Sequence, residues 1–305
     1  MLYDVLIIGA GPAGMTASIY AKRANLKVAI FEKYAPGGQI VNTAEIENYT
    51  GYQKTSGYEL ATHMFNHTQS LGVEVIYEEV TDIKVDGNVK KLVTPNGEYK
   101  TKVVIIATGT VPRRLGVENE DMLANRGISW CAICDGPMYK GKEVVVIGGG
   151  NSAVEEASYL ATLATHVSVI QDMPHLTADK KAQDILTAKP NVDFYFSSKV
   201  KKFLVDDAGN MAGVIVTDKD GKDTEVKGNG AFEYIGLIPV TKMLDSLGVT
   251  NKFGYVETDE KMATKVPGVY SAGDVNVKQI RQVVTATADG AIAVQNALKY
   301  LETWE

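Results

Sequence analysis

Cys131 and Cys134 are the only thiols in a chain of 305 residues, and Asp135 follows them directly. Two cysteines three positions apart can close a small disulfide. At a helix start the local field lowers a thiol pKa and favours the reactive thiolate. A CxxC beside a βαβ pattern therefore points to redox chemistry or to half of a metal site. Exchange also requires a protonated leaving group. Asp135 could supply that proton; taken alone, it fits a helix cap or a solvated turn equally well. A disulfide scaffold is excluded, because one short bridge restrains very little chain. The metal alternative needs partners. His63 and His67 sit at i and i+4 and would complete a Cys2His2 zinc set by count. They fall in ELATHMFNHTQSLG, an amphipathic surface-helix pattern in a different part of the chain, so no metal is expected. His166 precedes a strand pattern and reads as structural.

The elements that position the cysteines repeat. Val5 to Ile8 is an apolar run typical of a buried parallel strand. Gly9, Gly11 and Gly14 follow as GxGxxG. Met15 to Arg23 then reads as a helix, and Val28 to Phe31 as a second strand ending at Glu32. Such a turn lets a backbone approach a pyrophosphate at a helix N-terminus, with the acid on a ribose. The same unit recurs after the cysteines: strand Val144 to Ile147, then Gly148, Gly150 and Ala153. Gly11 to Glu32 and Gly150 to Gln171 both span 21 positions. Two such units imply two dinucleotides, for which a flavin and a nicotinamide nucleotide are the usual pair. Strand-rich stretches Val73–Val93 and Val192–Val216 lie between, with turns at DGN, PNG, DDAGN and KDGKD. A long helix with small residues on its early turns closes the sequence.

Composition bounds the function. Apolar residues make up 45% and charged ones 22%, as in a globular protein large enough for two domains. A net charge of −6 gives no footprint for nucleic acid. No segment approaches a membrane span, and Asp4 interrupts the first apolar run before a signal sequence could form. A cytoplasmic location is expected.

The motifs GAGPAG, GGQ, ENYTG, ATG, CAICDG, GGGNSA, SAGDV and RQVVTATADG occur in this order over nearly the whole chain. Together they resemble the low-molecular-weight thioredoxin reductases and their relatives. The resemblance implies an α/β fold of two Rossmann-like, three-layer dinucleotide-binding domains, the second inserted in the first. An FAD-binding domain would comprise residues 1–113 and 243–305, with an NAD(P)H-binding domain at 114–242 carrying the CxxC. FAD would be held by Gly9, Gly11, Pro12, Ala13, Gly14 and Glu32; by Gly38, Gln39 and Asn48; by Ala107, Thr108 and Gly109; and by Gly273, Asp274, Arg281, Gln282 and Val283. Asp274 would take the ribitol and Glu32 the adenosine ribose. The nicotinamide nucleotide would meet Gly148, Gly150, Asn151, Ser152, Ala153, Gln171 and Asp172. Cys134 would face the flavin, Cys131 would attack the partner disulfide, and Asp135 would be the acid/base. The family also implies a homodimer, and rotation of one domain against the other, with hinges near residues 113 and 239. Thr50 stands where many relatives carry Pro, which affects a turn.

The electron donor is where the sequence departs from the family. NADPH-using members carry HRRxxxR after the second strand of the nicotinamide unit, and its arginines clamp the 2′-phosphate. Here the stretch is QDMPHLT, Gln171 to Thr177. Asp172 would oppose a phosphate at a cost of about 1–3 kcal/mol. NADH is therefore favoured over NADPH. The segment from Cys134 onward is also similar to the flavoprotein subunit of alkyl hydroperoxide reductase, which uses NADH. This sequence opens at the first glycine turn without that subunit's thioredoxin-like module. The expected acceptor is a separate thioredoxin, glutaredoxin-like redoxin or similar small dithiol protein. Pro137 and Met138 replace an aromatic pair that helps dock thioredoxin in relatives. Three alternatives remain: a ferredoxin-linked thioredoxin reductase, favoured by the lost arginines but opposed by GGGNSA; a flavin-dependent NADH oxidase or ferredoxin–NADP reductase, opposed by the CxxC; and a non-catalytic flavin redox sensor.

Overall fold

The computed structural model describes residues 1–43 and 46–304. The chain divides into two compact units, Met1–Val111 with Ile238–Glu305, and Pro112–Leu237.

The first unit starts with β1 (Leu2–Ile8), which from Val5 onward is buried on both faces. It pairs in parallel with β2 (Val28–Phe31). Between them, α1 (Pro12–Arg23) begins on a proline at a position where the missing N–H costs nothing. The helix thus opens inside the glycine turn, three residues earlier than the apolar pattern suggests. Lys22 and Arg23 occupy its last turn, where positive charge suits the helix field. α2 (Gly57–Ser70) opens on a reciprocal cap between Ser56 and Glu59. β3 (Glu74–Ile76) joins β2, and a meander follows: β4 (Asp82–Asp86), β5 (Val89–Thr94) and β6 (Gly97–Ile106). The far half of β6 pairs in parallel with β1, and β7 (Thr110–Pro112) ends the segment.

The second unit contains α3 (Glu120–Leu123), β8 (Ile128–Ser129) and α4 (Ala132–Asp135), the short helix that carries the cysteine motif. Next come β9 (Glu143–Ile147), α5 (Asn151–Leu160), β10 (His166–Ile170), α6 (Lys180–Thr187) and β11 (Val192–Tyr195). An antiparallel sheet of β12 (Ser198–Val205), β13 (Met211–Asp218) and β14 (Asp223–Lys227) precedes β15 (Gly230–Glu233). The parallel sheet has the order β11-β10-β9-β15-β8. Val144, Val146 and Val169 pack on one side with Val154, Leu160 and Leu186 of the helices. Val145, Ile147 and Ile170 pack on the other with Phe203 and Val214 of the antiparallel sheet. The alternation of side chains along β9 thus builds three layers from one strand.

β16 (Leu237–Pro239) pairs with β7. The returning segment supplies β17 (Val269–Ser271), which lies parallel to the end of β6, and α7 (Val283–Glu302). Here Gly290 meets α1 so closely that a Cβ would overlap the carbonyl of Ala13. Small residues on the early turns of α7 permit that approach. The first unit also has three layers: α1 and α7 cover one face of the sheet, and Ile83, Leu92, Met243 and Leu244 cover the other.

Candidate active site

In the second unit Cys131 and Cys134 form a disulfide with Cα atoms 5.3 Å apart. Cys131 is the N-cap of α4, so the cysteines do lie at a helix start. Ser129, at the end of β8, ties the motif together. Its hydroxyl donates to Asp135 Oδ2 at 2.6 Å and accepts the Cys131 N–H at 3.1 Å. The other oxygen, Asp135 Oδ1, is buried without a hydrogen-bond partner among the described residues. Burial raises the Asp135 carboxyl above its ordinary value, and the Ser129 hydrogen bond opposes that rise. A carboxyl in this state binds a proton more readily than an ordinary aspartate does. Ser129 carries no motif signal, and only the fold brings it to Asp135.

The second glycine turn lies in the same unit. Gly148 has φ +127°, and a side chain on it would press on the Tyr234 carbonyl. Gly150 is the N-cap of α5, where a Cβ would meet only the Thr177 hydroxyl, at 3.9 Å. Ala153 is buried under the turn, whereas Asn151 and Ser152 are exposed. Asn151 exchanges hydrogen bonds with Asp179, at 2.7 and 3.1 Å. Thr177 N–H donates to the Gly149 carbonyl at 2.7 Å, so the loop after β10 folds back onto the turn. Gln171 is buried at 6% exposure. Its amide fills the space Gly149 leaves, and Nε2 donates to the His175 carbonyl at 3.4 Å. Its neighbour Asp172 is exposed. Lys180, further along, is paired with Asp184 at 2.8 Å.

In the first unit, Gly9 has φ +105° and lies against the Ala107 backbone. Gly14 lies against the carbonyl of Gly9, and Pro12 and Ala13 begin α1 behind it. Gly11 faces Gly38 with no side chain between them. Glu32 accepts N–H bonds from Ala10 at 3.0 Å and Tyr34 at 2.9 Å, which fixes the carboxylate beside the turn. Gln39 is exposed on the short 3-10 helix Gly38–Asn42. Asn48 Nδ2 donates to Gln282 Oε1 at 3.1 Å, joining two motifs 234 positions apart. Thr108 Oγ1 donates to the Val240 carbonyl at 2.6 Å, and Gly109 accepts the Val240 N–H. Gly273 N–H donates to Asp289, which also pairs with Lys278 at 2.6 Å. Arg281 donates to the carbonyls of Asp274 and Asn276 and lies over the Tyr255 ring. Gln282 caps α7, which starts at Val283.

A flavin dinucleotide fits these residues. Asp274 Oδ1 is buried with no partner among the described residues, and burial raises the carboxyl while Lys278 and Arg281 oppose the rise. A buried acceptor of this kind calls for a hydroxyl donor. The facing glycines 11 and 38 leave room for a phosphate at the start of α1. Asp289 and Lys278, a largely buried ion pair behind the Gly273 turn, were invisible as site residues in the sequence. The sequence signal was an acid among the small residues of RQVVTATADG. His63 lies on α2 and shares a 2.9 Å hydrogen bond with the Tyr52 hydroxyl. Among the described residues no cluster of His, Cys, Asp and Glu could hold a metal ion, and no helix is long and apolar enough to cross a membrane.

Two dinucleotide-binding units and a CxxC disulfide define a class, and the comparisons agree with it. The model of the pyridine nucleotide-disulphide oxidoreductases matches residues 3–290, and the chain belongs to that family. Within it the similarity is to thioredoxin reductases. That of Bacillus subtilis (strain 168) is 44% identical over 99% of this chain and 95% of its own length. The crystal structure of thioredoxin reductase from Streptococcus pyogenes MGAS5005 superposes with a TM-score of 0.91, at 45% identity over 99% of both chains. Thioredoxin reductase from Giardia duodenalis gives 0.89 at 32% identity, again over 99% of each chain. The fold of two Rossmann-like domains and the oxidoreductase class expected from the motifs are thereby established. Family membership implies FAD and a pyridine nucleotide.

Proposed function

We propose that this enzyme is an FAD-dependent disulfide reductase that takes electrons from NADH in preference to NADPH. It passes them through Cys131 and Cys134 to the disulfide of a thioredoxin or similar small dithiol protein. The observation that carries this reading is the Cys131–Cys134 disulfide at the start of α4, with the buried Asp135 carboxyl beside it. When bound, FAD supplies a two-electron carrier between the nucleotide and the disulfide. Gly9, Gly11, Pro12, Ala13, Gly14 and Gly38 hold its phosphates, Glu32 the adenosine ribose and Asp274 a ribitol hydroxyl. Gln39, Asn48, Ala107, Thr108, Gly109, Gly273, Arg281, Gln282 and Val283 line the rest of its site.

In the dithiol state Cys131, as thiolate, attacks one sulfur of the partner disulfide and forms a mixed disulfide. Asp135 gives its proton to the partner thiolate that leaves. Cys134 then gives its proton to the Asp135 carboxylate and attacks the Cys131 sulfur, which releases the second partner thiolate and restores the intramolecular disulfide. One dithiol is oxidised and one disulfide reduced.

The exposed Asp172 supports NADH. A 2′-phosphate beside it meets a carboxylate, and Lys180, further along the chain, is already paired with Asp184. Gly148, Gly150, Asn151, Ser152 and Ala153 receive the pyrophosphate. With Gln171 turned under Gly149, the ribose contact falls to the exposed edge of the following loop. The working form is a homodimer in the cytoplasm. Anaerobic titration of the FAD-loaded enzyme with NADH, NADPH and reduced ferredoxin tests the donor. Rapid bleaching by NADH is expected, and bleaching by ferredoxin alone would overturn the reading.

A further inference from the structure

One residue, Trp130, joins the end of β8 to Cys131, the N-cap of α4. Its neighbour Ser129 already holds Cys131 and Asp135 through its hydroxyl. The Trp130 side chain has anchors of its own. Nε1 donates to Glu233 Oε2 at 2.9 Å, and the Arg114 guanidinium lies 4.2 Å from the centre of the ring. Glu233 ends β15, in register with Ile147, the residue before the second glycine turn. Phe232, one position earlier, is in register with Ser129. A single side chain at the end of β15 thus ties down the link into the cysteine motif.

Glu233 is 2% exposed, and its Oε1 is buried without a hydrogen-bond partner among the described residues. The charged groups acting on it are Glu120 of α3 and Arg114 of the segment before α3. Glu120, also 2% exposed, accepts the N–H groups of Leu115, Gly116 and Val117 at 2.9, 2.6 and 3.3 Å. Its oxygens are taken up as acceptors, so it offers Glu233 no proton. Arg114 is exposed, and solvent screens its charge. A buried carboxylate with one oxygen lacking a donor is costly, whereas a neutral carboxyl still accepts the indole N–H. Burial and Glu120 outweigh the pull of Trp130 and Arg114 toward the anion, and the carboxyl is pushed up to about 8. We propose that Glu233 is a positioning residue for disulfide exchange: as a neutral acid it holds Trp130, and with it the link into Cys131, and on ionising it turns toward water and lets the indole go.

This role rests on Cys131 and Cys134 being the working dithiol. The parent for the test is FAD-loaded enzyme carrying Trp304→Phe, which leaves Trp130 as its only tryptophan. Glu233→Gln, Glu233→Leu, Trp130→Phe and the Glu233→Leu/Trp130→Phe pair are compared with it. Two quantities are read from about pH 6.5 to about pH 9.5: kcat/KM for a protein disulfide, and Trp130 fluorescence. Glu233→Gln keeps an acceptor for the indole and does not titrate. It should match the parent within about twofold near pH 7, and its kcat/KM relative to the parent should rise about tenfold by the alkaline end. Trp130 emission should titrate over that range in the parent and stay flat in Glu233→Gln. Glu233→Leu and Trp130→Phe should each lose about tenfold near pH 7, and together little more than either alone. A Gln variant whose ratio to the parent stays constant with pH, or whose Trp130 emission titrates as the parent's does, overturns the role. So do additive losses in the double variant. An enzyme that turns over no protein disulfide at any pH overturns the dithiol reading instead, and Trp130 emission still decides whether Glu233 holds the indole through its proton.

Discussion

At the scale of the residue, two carboxyls, one half-buried and one buried, both hold their protons above the ordinary range. Asp135 keeps one oxygen unpartnered beside the disulfide. Asp135→Asn removes the proton it would deliver. Turnover with a protein disulfide should fall about 100-fold, while flavin bleaching by NADH stays at the wild-type rate. Equal loss in both assays would place Asp135 elsewhere in the cycle. Glu233, at the end of β15, receives the Trp130 Nε1 hydrogen bond at 2.9 Å. Burial, then the nearby Glu120, push its carboxyl up to about 8, against the pull of Trp130 and Arg114. The folded state therefore holds a proton that the unfolded chain releases near the ordinary glutamate value. Stability is greatest below that value and falls as pH rises toward about 8, by at most about 1.4 kcal/mol per pH unit. Glu233→Gln should flatten the decline of Tm between pH 5 and 8. An unchanged slope would mean another group binds the proton. The sequence could not disclose these environments. Glu233 and Glu120, or Lys90 at 1% exposure beside the surface-paired Lys91, look like ordinary charges until strands and helices far along the chain enclose them.

At the scale of the element, the glycine turns were legible because each glycine answers a local demand. Gly9 and Gly148 have positive φ and press on a neighbouring backbone. The fate of Gln171 was not legible. Its position in the repeat suggests a ribose ligand, yet its amide fills the room left by Gly149, a tertiary fit that spacing does not encode. Asp172, by contrast, stays in solvent as its polar context suggests. Asp172→Arg should raise kcat/KM for NADPH relative to NADH by about tenfold or more, corresponding to the 1–3 kcal/mol of a like-charge contact relieved. Steady-state kinetics with both nucleotides checks it, and an unchanged ratio would move the ribose site elsewhere. At the α1–α7 crossing, Gly290→Ala drives a methyl group into the Ala13 carbonyl. The first unit should lose about 1–3 kcal/mol and release FAD at lower denaturant, read by flavin fluorescence.

At the scale of the whole molecule, the repeat in the sequence pointed to two dinucleotide units, and the insertion of one within the other came only from the family resemblance. The strands β7 and β16, three residues each, lie where the resemblance puts the chain crossings near residues 113 and 239; pairs that small carry no periodicity of their own. The cysteines belong to the inserted unit, and so does the second glycine turn. Any rotation of that unit would carry both together, and we propose that dithiol and nicotinamide take turns at the flavin. A covalent crosslink between the two units should slow steady-state turnover at least about tenfold while each half-reaction open to the locked form persists. Unimpaired turnover in the crosslinked enzyme would exclude such a rotation.

The Gly290–Ala13 contact also sets an order of assembly. α1 precedes the inserted unit along the chain, while its partner α7 and the strand β17 belong to the segment that follows it. On the ribosome the early sheet waits with both faces only partly covered while the intervening residues are added, a delay on the order of ten to forty seconds. The inserted unit meanwhile has all of its own core in hand. The unit that carries the thiols is thus positioned to fold before the unit proposed to bind the flavin.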